Sequence, residues 1–243
     1  MSPVDHFGRD VADRFDARYA HQADPAVVDP TVDFLAGFAG DGAALELGIG
    51  TGRIALPLSQ RGVRVHGIDL SEAMVDKLRA KPGADRIAVT IGDFASTQVG
   101  ATFSLAYLVA NTIMNLTTQD EQVACFENAA AHLEPGGCFV IEVQVPKLQR
   151  LPSGERFQPF DVSATHLGFD EMDVATQRLV SHHYWIEDDK VEVLSPPFRY
   201  VWPSELDLMA QLAGMSLRER WKDWERSPFT SDSKGHVSVW EKP

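Results

Sequence analysis

The sequence has few of the features that mark a secreted or membrane-bound protein. It contains only two cysteines in 243 residues, and both stand in apolar segments, so we expect buried free thiols at Cys125 and Cys138. No apolar run approaches the roughly 20 residues that a transmembrane helix needs. The N-terminal segment MSPVDHFGRD lacks the basic and apolar regions of a signal peptide. We therefore expect a cytoplasmic protein without a membrane partner.

Positive charge is also scarce. Lysine and arginine number 22 against 35 aspartates and glutamates, which gives a formal net charge of −13. Such a balance works against non-specific binding to nucleic acid or anionic lipid, so a small molecule is the expected partner. Metal-ligand spacing is missing, and no metal site is expected. With 44% hydrophobic and 23% charged residues, the chain suffices for one sizeable core, and we expect one elaborated domain.

What the sequence does contain is a strand, loop, helix and strand pattern over residues 43–71. An apolar run at 44–47 is typical of a buried parallel strand, and three glycines then follow at alternate positions. Helical spacing over 53–61 and a second apolar strand complete a βαβ unit that ends at Asp69. Glycines let a backbone approach a ligand closely, and an acid about 20 residues downstream can accept hydrogen bonds from ribose hydroxyls. This pattern favours a nucleoside site, while a tight turn without a ligand is the alternative.

Two residues of this unit indicate which nucleoside would bind. The dinucleotide fingerprint needs G-x-G-x-x-G, but Arg53 stands at the position of its third glycine. Glu46 lies two residues before the first glycine, where a carboxylate would repel a pyrophosphate and attract a cation. S-adenosylmethionine fits these constraints, because its sulfonium and ammonium are positive and it has no phosphate.

Several segments resemble the motifs of one enzyme family. Residues 45–53, LELGIGTGR, resemble motif I of the class I S-adenosylmethionine-dependent methyltransferases, and residues 68–71, IDLS, resemble the acidic loop after their second strand. Residues 92–94 resemble the loop whose acid meets the adenine, and residues 133–137, LEPGG, the turn before the fifth strand. The resemblance implies a Rossmann-like, doubly wound α/β fold with a mostly parallel seven-stranded sheet and an antiparallel edge. The implied cofactor is S-adenosyl-L-methionine, with S-adenosyl-L-homocysteine as product.

The resemblance also implies which residues hold the cofactor. Glu46 and the glycine loop would hold the methionine part, Asp69 the ribose, and Asp93 with Met74 and Phe94 the adenine. The complete predicted set is Tyr19, Glu46, Gly48, Ile49, Gly50, Gly52, Asp69, Leu70, Met74, Asp93, Phe94 and Asn111.

We expect the chain to divide into four parts around this core. They are an N-terminal helical lid (1–40), a cofactor-binding core (41–145), a β-rich substrate cap inserted after the fifth strand (146–201), and a C-terminal helix with edge strands (202–243). The segment FDARYA resembles one often seen in the family's lids, which makes Tyr19 the expected lid residue. An apolar stripe that only anchors the helix is the alternative. The cap can also pair with a second subunit, as a homodimer.

The remaining elements follow from periodicity and turn residues. Pro25 and Pro30 are expected to break the chain after a helix over 10–19, and Ser204 is expected to cap a helix that ends at Gly214. The dipeptide Asp188-Asp189 is expected to form a turn. The other predicted helices cover 31–38, 71–79 and 119–133, and the predicted strands cover 87–91, 103–109, 138–145, 164–173, 178–187, 190–201, 217–224 and 236–240.

Four residues are candidates for a catalytic role. Asn111 follows the fourth strand, where ligands gather in open α/β sheets, so we expect it and Asn115 to face the pocket, although the Asn111 amide can equally satisfy loop backbone. Glu142 lies inside a buried strand, so it either faces the pocket or is paired. His182 and His183 must point to opposite faces of a strand, and one of them could serve as a general base. The alternative for each histidine is an ordinary surface or interface residue.

The favoured function is methyl transfer from S-adenosylmethionine to an oxygen, nitrogen or carbon nucleophile of a small molecule. Catalysis would come mostly from proximity and alignment. Because no general base is obvious, a non-catalytic S-adenosylmethionine-binding module or a biosynthetic scaffold is the alternative. A nicotinamide-dependent oxidoreductase is disfavoured by Arg53 and Glu46.

Overall fold

The computed structural model of the protein describes residues 5–187 and 190–243. The turn predicted at Asp188-Asp189 lies outside the described residues. No helix in these two ranges is long and apolar enough to cross a membrane. Both cysteines are free and buried, as the sequence predicts.

A seven-stranded sheet forms the centre of the molecule, with the strand order β11-β12-β5-β4-β1-β2-β3. Strands β1 to β5 run parallel, and β12 pairs antiparallel with both β5 and β11. This arrangement confirms the predicted doubly wound fold with its antiparallel edge. The strands are β1 (Ala43–Leu47), β2 (Arg64–Asp69), β3 (Ala88–Ile91), β4 (Phe103–Leu108), β5 (Leu133–Gln144), β11 (Ser216–Trp221) and β12 (Gly235–Glu241).

Helices cover both faces of this sheet and divide its hydrophobic core in two. One cluster, around Leu35 and Leu58, packs α2 and α3 against the sheet, and the other, around Phe126 and Trp240, packs α5 and α6. The helices are α1 (Arg9–Arg18), α2 (Pro25–Ala39), α3 (Ala55–Gln60), α4 (Glu72–Arg79), α5 (Gln119–His132) and α6 (Pro203–Leu212).

Two helix starts differ from the predicted ones. Pro25 and Pro30 do not break the chain: Asp24 caps α2, and Pro25 occupies its first position, where no N–H is needed. Pro30 removes one hydrogen bond inside α2, but the buried face of the helix, which includes Val32, offsets this loss. Ser204 is not a cap, because α6 already begins at Pro203.

The strand-rich insertion forms a separate antiparallel sheet of five strands, the cap sheet. The predicted third run is split into two strands, and the first strand was not predicted at all. That strand carries Pro159 and mostly polar or exposed positions, which an edge strand tolerates and a sequence pattern does not reveal. The strands are β6 (Phe157–Val162), β7 (His166–Asp173), β8 (Arg178–Glu187), β9 (Lys190–Leu194) and β10 (Pro197–Arg199).

A buried polar cluster joins the cap sheet to the core. The Arg199 guanidinium at the end of β10 donates to Gln122 Oε1 on α5 (2.5 Å) and to Glu205 Oε1 on α6 (2.6 Å). Gln122 in turn donates to the carbonyls of Ile113 and Leu116. Burial opposes ionisation of Glu205, but hydrogen bonds from Gln177 and Arg199 outweigh it and lower its pKa. The stability that this carboxylate contributes is therefore present above its unfolded-state pKa and lost as the pH falls.

Replacing Arg199 should uncouple the cap from the core. Arg199→Met leaves the Glu205 carboxylate buried without its cation, so we expect the free energy of unfolding to fall by about 3 kcal/mol. Urea denaturation at pH 7 measures this change. Arg79→Met, which removes an exposed ion pair to Asp76, should change it by less than about 0.5 kcal/mol. Equal effects of the two substitutions would contradict the role of the cluster.

Candidate active site

One cavity of about 590 Å³ opens at the carboxyl ends of β1, β2 and β4. Ligands in open α/β sheets bind at this edge, next to the point where the strand order reverses. The structure brings nine of the twelve predicted cofactor residues to its wall. They are Glu46, Gly48, Ile49, Gly50, Asp69, Leu70, Met74, Asp93 and Phe94.

The glycine loop between β1 and α3 folds back onto β2. Gly48 and Ile49 both donate their N–H groups to the carbonyl of Ile68, at 2.8 and 3.1 Å. The φ angles of Gly48 (+77°) and Gly52 (+79°) lie in the left-handed region, which side chains rarely adopt. Gly52 does not line the cavity. A Cβ at this position would collide with Leu78 of α4, so the glycine allows the loop to pack closely against that helix.

A fourth glycine, which the sequence pattern did not single out, supports the loop from β2. A Cβ on Gly67 would collide with the side chain of Ile49, which is buried directly against it. Because Gly67 has no side chain, the Ile49 side chain can pack directly against β2, and this contact fixes the position of the glycine loop.

Asp69 ties this loop to the end of β2. One carboxylate oxygen accepts the Gly50 N–H at 2.6 Å and the other accepts the Ser71 N–H at 2.8 Å. Burial raises the pKa of Asp69, against the lowering effect of these two hydrogen bonds. Each carboxylate oxygen has a second lone pair, so the group can still accept two ribose hydroxyls.

Glu46 is a buried carboxyl at the cavity wall. The residue is only 2% exposed, and its Oε2 accepts a hydrogen bond from the Tyr107 hydroxyl at 2.8 Å. Burial raises the pKa of Glu46 to about 8. A cationic ligand in the cavity would favour its charged form.

The opposite end of the predicted cofactor site is apolar, with one acid. Met74 and Phe94 are almost fully buried, and Asp93 accepts the Ala95 N–H at 2.9 Å. A flat base fits between such side chains, and the free oxygen of Asp93 can accept from an amino group.

The N-terminal segment covers this end of the cavity, but through other residues than predicted. Phe7 and Phe15 line the cavity, and the carbonyl of Phe7 accepts the Ser71 hydroxyl at 2.8 Å. Tyr19 lies behind Phe15, with 4.8 Å between the ring centroids, and is not among the lining residues. Asp16 of α1 accepts a hydrogen bond from the Thr51 hydroxyl in the glycine loop.

The side chains of Asn111 and Glu142 form hydrogen bonds with backbone groups at the loop that follows β4. The Glu142 carboxylate accepts the Ala110 N–H at 2.9 Å, and Asn111 Oδ1 accepts the Gln144 N–H at 2.7 Å. Ala110 and Asn111 both have positive φ angles, +55° and +65°, a conformation that costs about 1 kcal/mol or more per residue. In this structure the Glu142 side chain satisfies the strained backbone at Ala110, the Asn111 side chain bonds to the backbone of β5, and neither lines the cavity.

His182 and His183 lie on opposite faces of the cap sheet, as strand alternation predicts. His182 Nδ1 lies 3.0 Å from Ser195 Oγ, and His183 Nδ1 lies 3.1 Å from His166 Nε2. Burial, with the adjacent His166, lowers the pKa of His183 to about 4. Neither histidine is among the residues that line the cavity.

Apart from Asn115, which was expected to face the pocket, the remaining part of the wall, which we call the acceptor end, was not identified residue by residue from the sequence. Its polar residues surround the start of α5, where Thr118 and Glu121 form a capping box. The T-x-x-E spacing was a detectable signal for that cap, but not for a role in the cavity. The acceptor end comprises Asn115, Leu116, Thr117, Thr118, Glu121, Pro196 and Pro197.

Comparison with known proteins identifies the fold and family. The family described as "Methyltransferase domain" matches residues 44–137. The CcbJ methyltransferase from Streptomyces caelestis is 38% identical, covers 88% of each chain and has a TM-score of 0.81. The S-adenosylmethionine-bound CalS10, an amino pentose methyltransferase from Micromonospora echinaspora, is 20% identical, with 94% of this chain and 96% of that chain covered and a TM-score of 0.72.

A curated relative matches over a shorter stretch. The putative methyltransferase YqeM from Bacillus subtilis is 26% identical over 104 residues, which cover 42% of this chain and 42% of that protein. The alignment thus spans less than half the length of this relative.

The cavity residues fit S-adenosylmethionine. The cavity wall carries carboxylates, which can accept hydrogen bonds from ribose hydroxyls and from an ammonium, and Gly48 and Gly50 leave the backbone open to a close-lying ligand. Together with the match to CcbJ over 88% of its length, this geometry shows that the chain belongs to the class I S-adenosylmethionine-dependent methyltransferases.

Proposed function

We propose that the protein transfers a methyl group from S-adenosylmethionine to an amine nitrogen of a small polar molecule. The observation that carries this proposal is the charge of the cavity wall, where acids outnumber bases at both ends. Among the described residues, two basic side chains, Arg53 and His6, line the cavity. The acids are Asp5, Glu46, Asp69, Asp93 and Glu121.

Glu121 supports an amine as the group recognised at the acceptor end. Its Oε2 accepts the Thr118 N–H at 2.9 Å, which leaves Oε1 with no protein donor among the described residues. An ionised carboxylate is acceptor-only, so its natural partner is a donor that carries positive charge. Leu116, Pro196 and Pro197 supply apolar wall beside it, which suits a compact amine with a hydrocarbon part.

The residues also suffice for the chemistry. S-adenosylmethionine supplies an electrophilic methyl carbon bound to a sulfonium. Glu46 and Asp69 would hold that donor, while Glu121 would hold the acceptor, whose ammonium must first lose a proton to solvent. The nitrogen lone pair then forms the nitrogen–carbon bond as the carbon–sulfur bond breaks and its electron pair stays on sulfur. Positioning of the two reactants accounts for most of the rate enhancement.

An acceptor with an oxygen or carbon nucleophile is less compatible with this acidic cavity wall than an amine. Both react as anions, and a cavity lined by carboxylates would disfavour an anion. The scaffold alternative was motivated by the absence of a strong general base, which an amine does not need. The name of CalS10 gives an amino pentose as the substrate of that relative, which is a small molecule of the proposed class.

An acceptor panel tests the proposal. We expect S-adenosylhomocysteine release with primary and secondary amines, including amino sugars, and none with phenols or carboxylic acids at pH 8. Glu121→Gln keeps the capping box, because glutamine also accepts at this position. It should nevertheless lower kcat/KM for amines by about 10- to 100-fold, a loss of roughly 1.4–3 kcal/mol of charge-assisted binding.

Glu127→Gln is the matched control, since Glu127 is exposed on the same helix and should behave as wild type. Preference for phenols, or unchanged kcat/KM of Glu121→Gln, would refute the assignment of the amine.

The role of Asp69 has a separate test. Asp69→Ala should weaken the binding of S-adenosylhomocysteine by about 1–3 kcal/mol, because hydrogen bonds to a charged group are lost. Titration calorimetry measures the affinity, and a thermal-shift series should show stabilisation by S-adenosylhomocysteine but not by NAD. Asp76→Ala, at an exposed position of α4, is the control. An unchanged affinity of Asp69→Ala would remove Asp69 from the ribose site.

A further inference from the structure

Tyr107 is a fully buried phenol on β4 whose hydroxyl points at the cavity wall. It stands beside Glu46 in the parallel ladder between β4 and β1, so both side chains project from the same face of the sheet. Its ring is fully buried in the cluster that α2 and α3 form with the sheet, and its hydroxyl donates to Glu46 Oε2 at 2.8 Å. A phenol placed in such surroundings needs a partner, and here that partner is the carboxyl at the cofactor site.

The other groups that face Glu46 do not neutralise it. The Arg53 guanidinium in the glycine loop is close enough to lower the pKa of Glu46, but it donates to the carbonyl of Gln22 at 3.2 Å. Asp69, at the end of β2, raises that pKa, and the first N–H of α3 at Ala55 lowers it. Among the described residues, no ion pair includes Glu46.

We propose that Tyr107 is a positioning residue for the methyl donor: its hydroxyl holds the Glu46 carboxyl at the cavity wall, and binding of the donor's ammonium there releases one proton from Glu46. The inference rests on the family's cofactor and not on the identity of the acceptor.

Proton release follows from the state of Glu46 in the free protein. Burial raises its pKa to about 8, so at pH 7 the carboxyl is mostly neutral. An ammonium that enters the cavity favours the carboxylate, and the proton leaves to solvent. The affinity for a ligand that carries the ammonium should therefore increase with pH up to about pH 8 and then level off.

Calorimetry with S-adenosylhomocysteine tests this coupling on the intact protein. Titrations at pH 7 in phosphate and in Tris, which differ in ionisation enthalpy, should reveal about 0.9 proton released, and affinity should rise about 25-fold from pH 6.5 to pH 8.5. The probe 5′-methylthioadenosine has the same nucleoside but lacks the amino-acid part. It should release no proton from Glu46 and show no such dependence on pH.

Substitutions can show whether Tyr107 positions Glu46 or only contributes to packing. Tyr107→Phe removes a donor that favours the carboxylate, so the midpoint of the pH profile should move upward, with affinity several-fold weaker at pH 7 and close to wild type at pH 9. Glu46→Gln should release no proton and give a flat profile. Tyr200→Phe is the matched control, because Tyr200 is a similarly buried phenol whose hydroxyl has no hydrogen-bond partner in the described part of the chain.

Two results would overturn the inference. One is the absence of proton release when S-adenosylhomocysteine binds at pH 7. The other is a Tyr107→Phe profile that is weaker by the same factor at every pH, which a packing role alone would produce. If Tyr107→Phe does not fold, wild type and Glu46→Gln still decide the coupling. Failure of the amine assignment would leave all these measurements unchanged, since no acceptor is used.

Discussion

The hydrogen bond between the Gly50 N–H and the Asp69 carboxylate is the interaction on which the rest of the site depends. It closes the glycine loop over the end of β2 and so determines where the cavity can form. The neighbouring contacts make the loop rigid, because Ile49 packs into the space left by Gly67, and Gly52 lets Leu78 pack against the loop. A carboxylate that already accepts two backbone N–H groups is also pre-oriented, so a ligand need not order it on binding.

Much of the core could be predicted because its signals are local. The glycine spacing, the helical periodicity and the apolar strands depend on consecutive residues, and the family resemblance supplied the mostly parallel sheet with its antiparallel edge. Prediction was wrong where tertiary packing overrides local preference. Pro30 looks like a helix breaker, but the buried face of α2 holds it inside the helix.

The side chains of the site were harder to predict than its backbone. A helical stripe of aromatics indicates that α1 packs on the body, but not that Phe15 rather than Tyr19 reaches the cavity. Asn111 follows the fourth strand and Glu142 lies within the fifth, as expected, yet their polar atoms are used by Gln144 and by the strained backbone at Ala110. Such pairings depend on three-dimensional neighbours, and no spacing in the chain encodes them.

The acidity of the cavity also bears on how the enzyme would turn over. The donor carries two positive charges, on sulfur and on nitrogen, whereas the thioether product keeps only the ammonium. Carboxylates at the wall, such as Asp69 and Asp93, would attract the donor, which has the additional sulfonium charge, more strongly than the product. Loss of the sulfonium charge during the transfer therefore weakens binding at the moment when release is needed, while the ammonium near Glu46 still keeps the product in register until it leaves. In this way one arrangement of acids in the cavity wall would favour capture of the donor before the reaction and departure of the product after it.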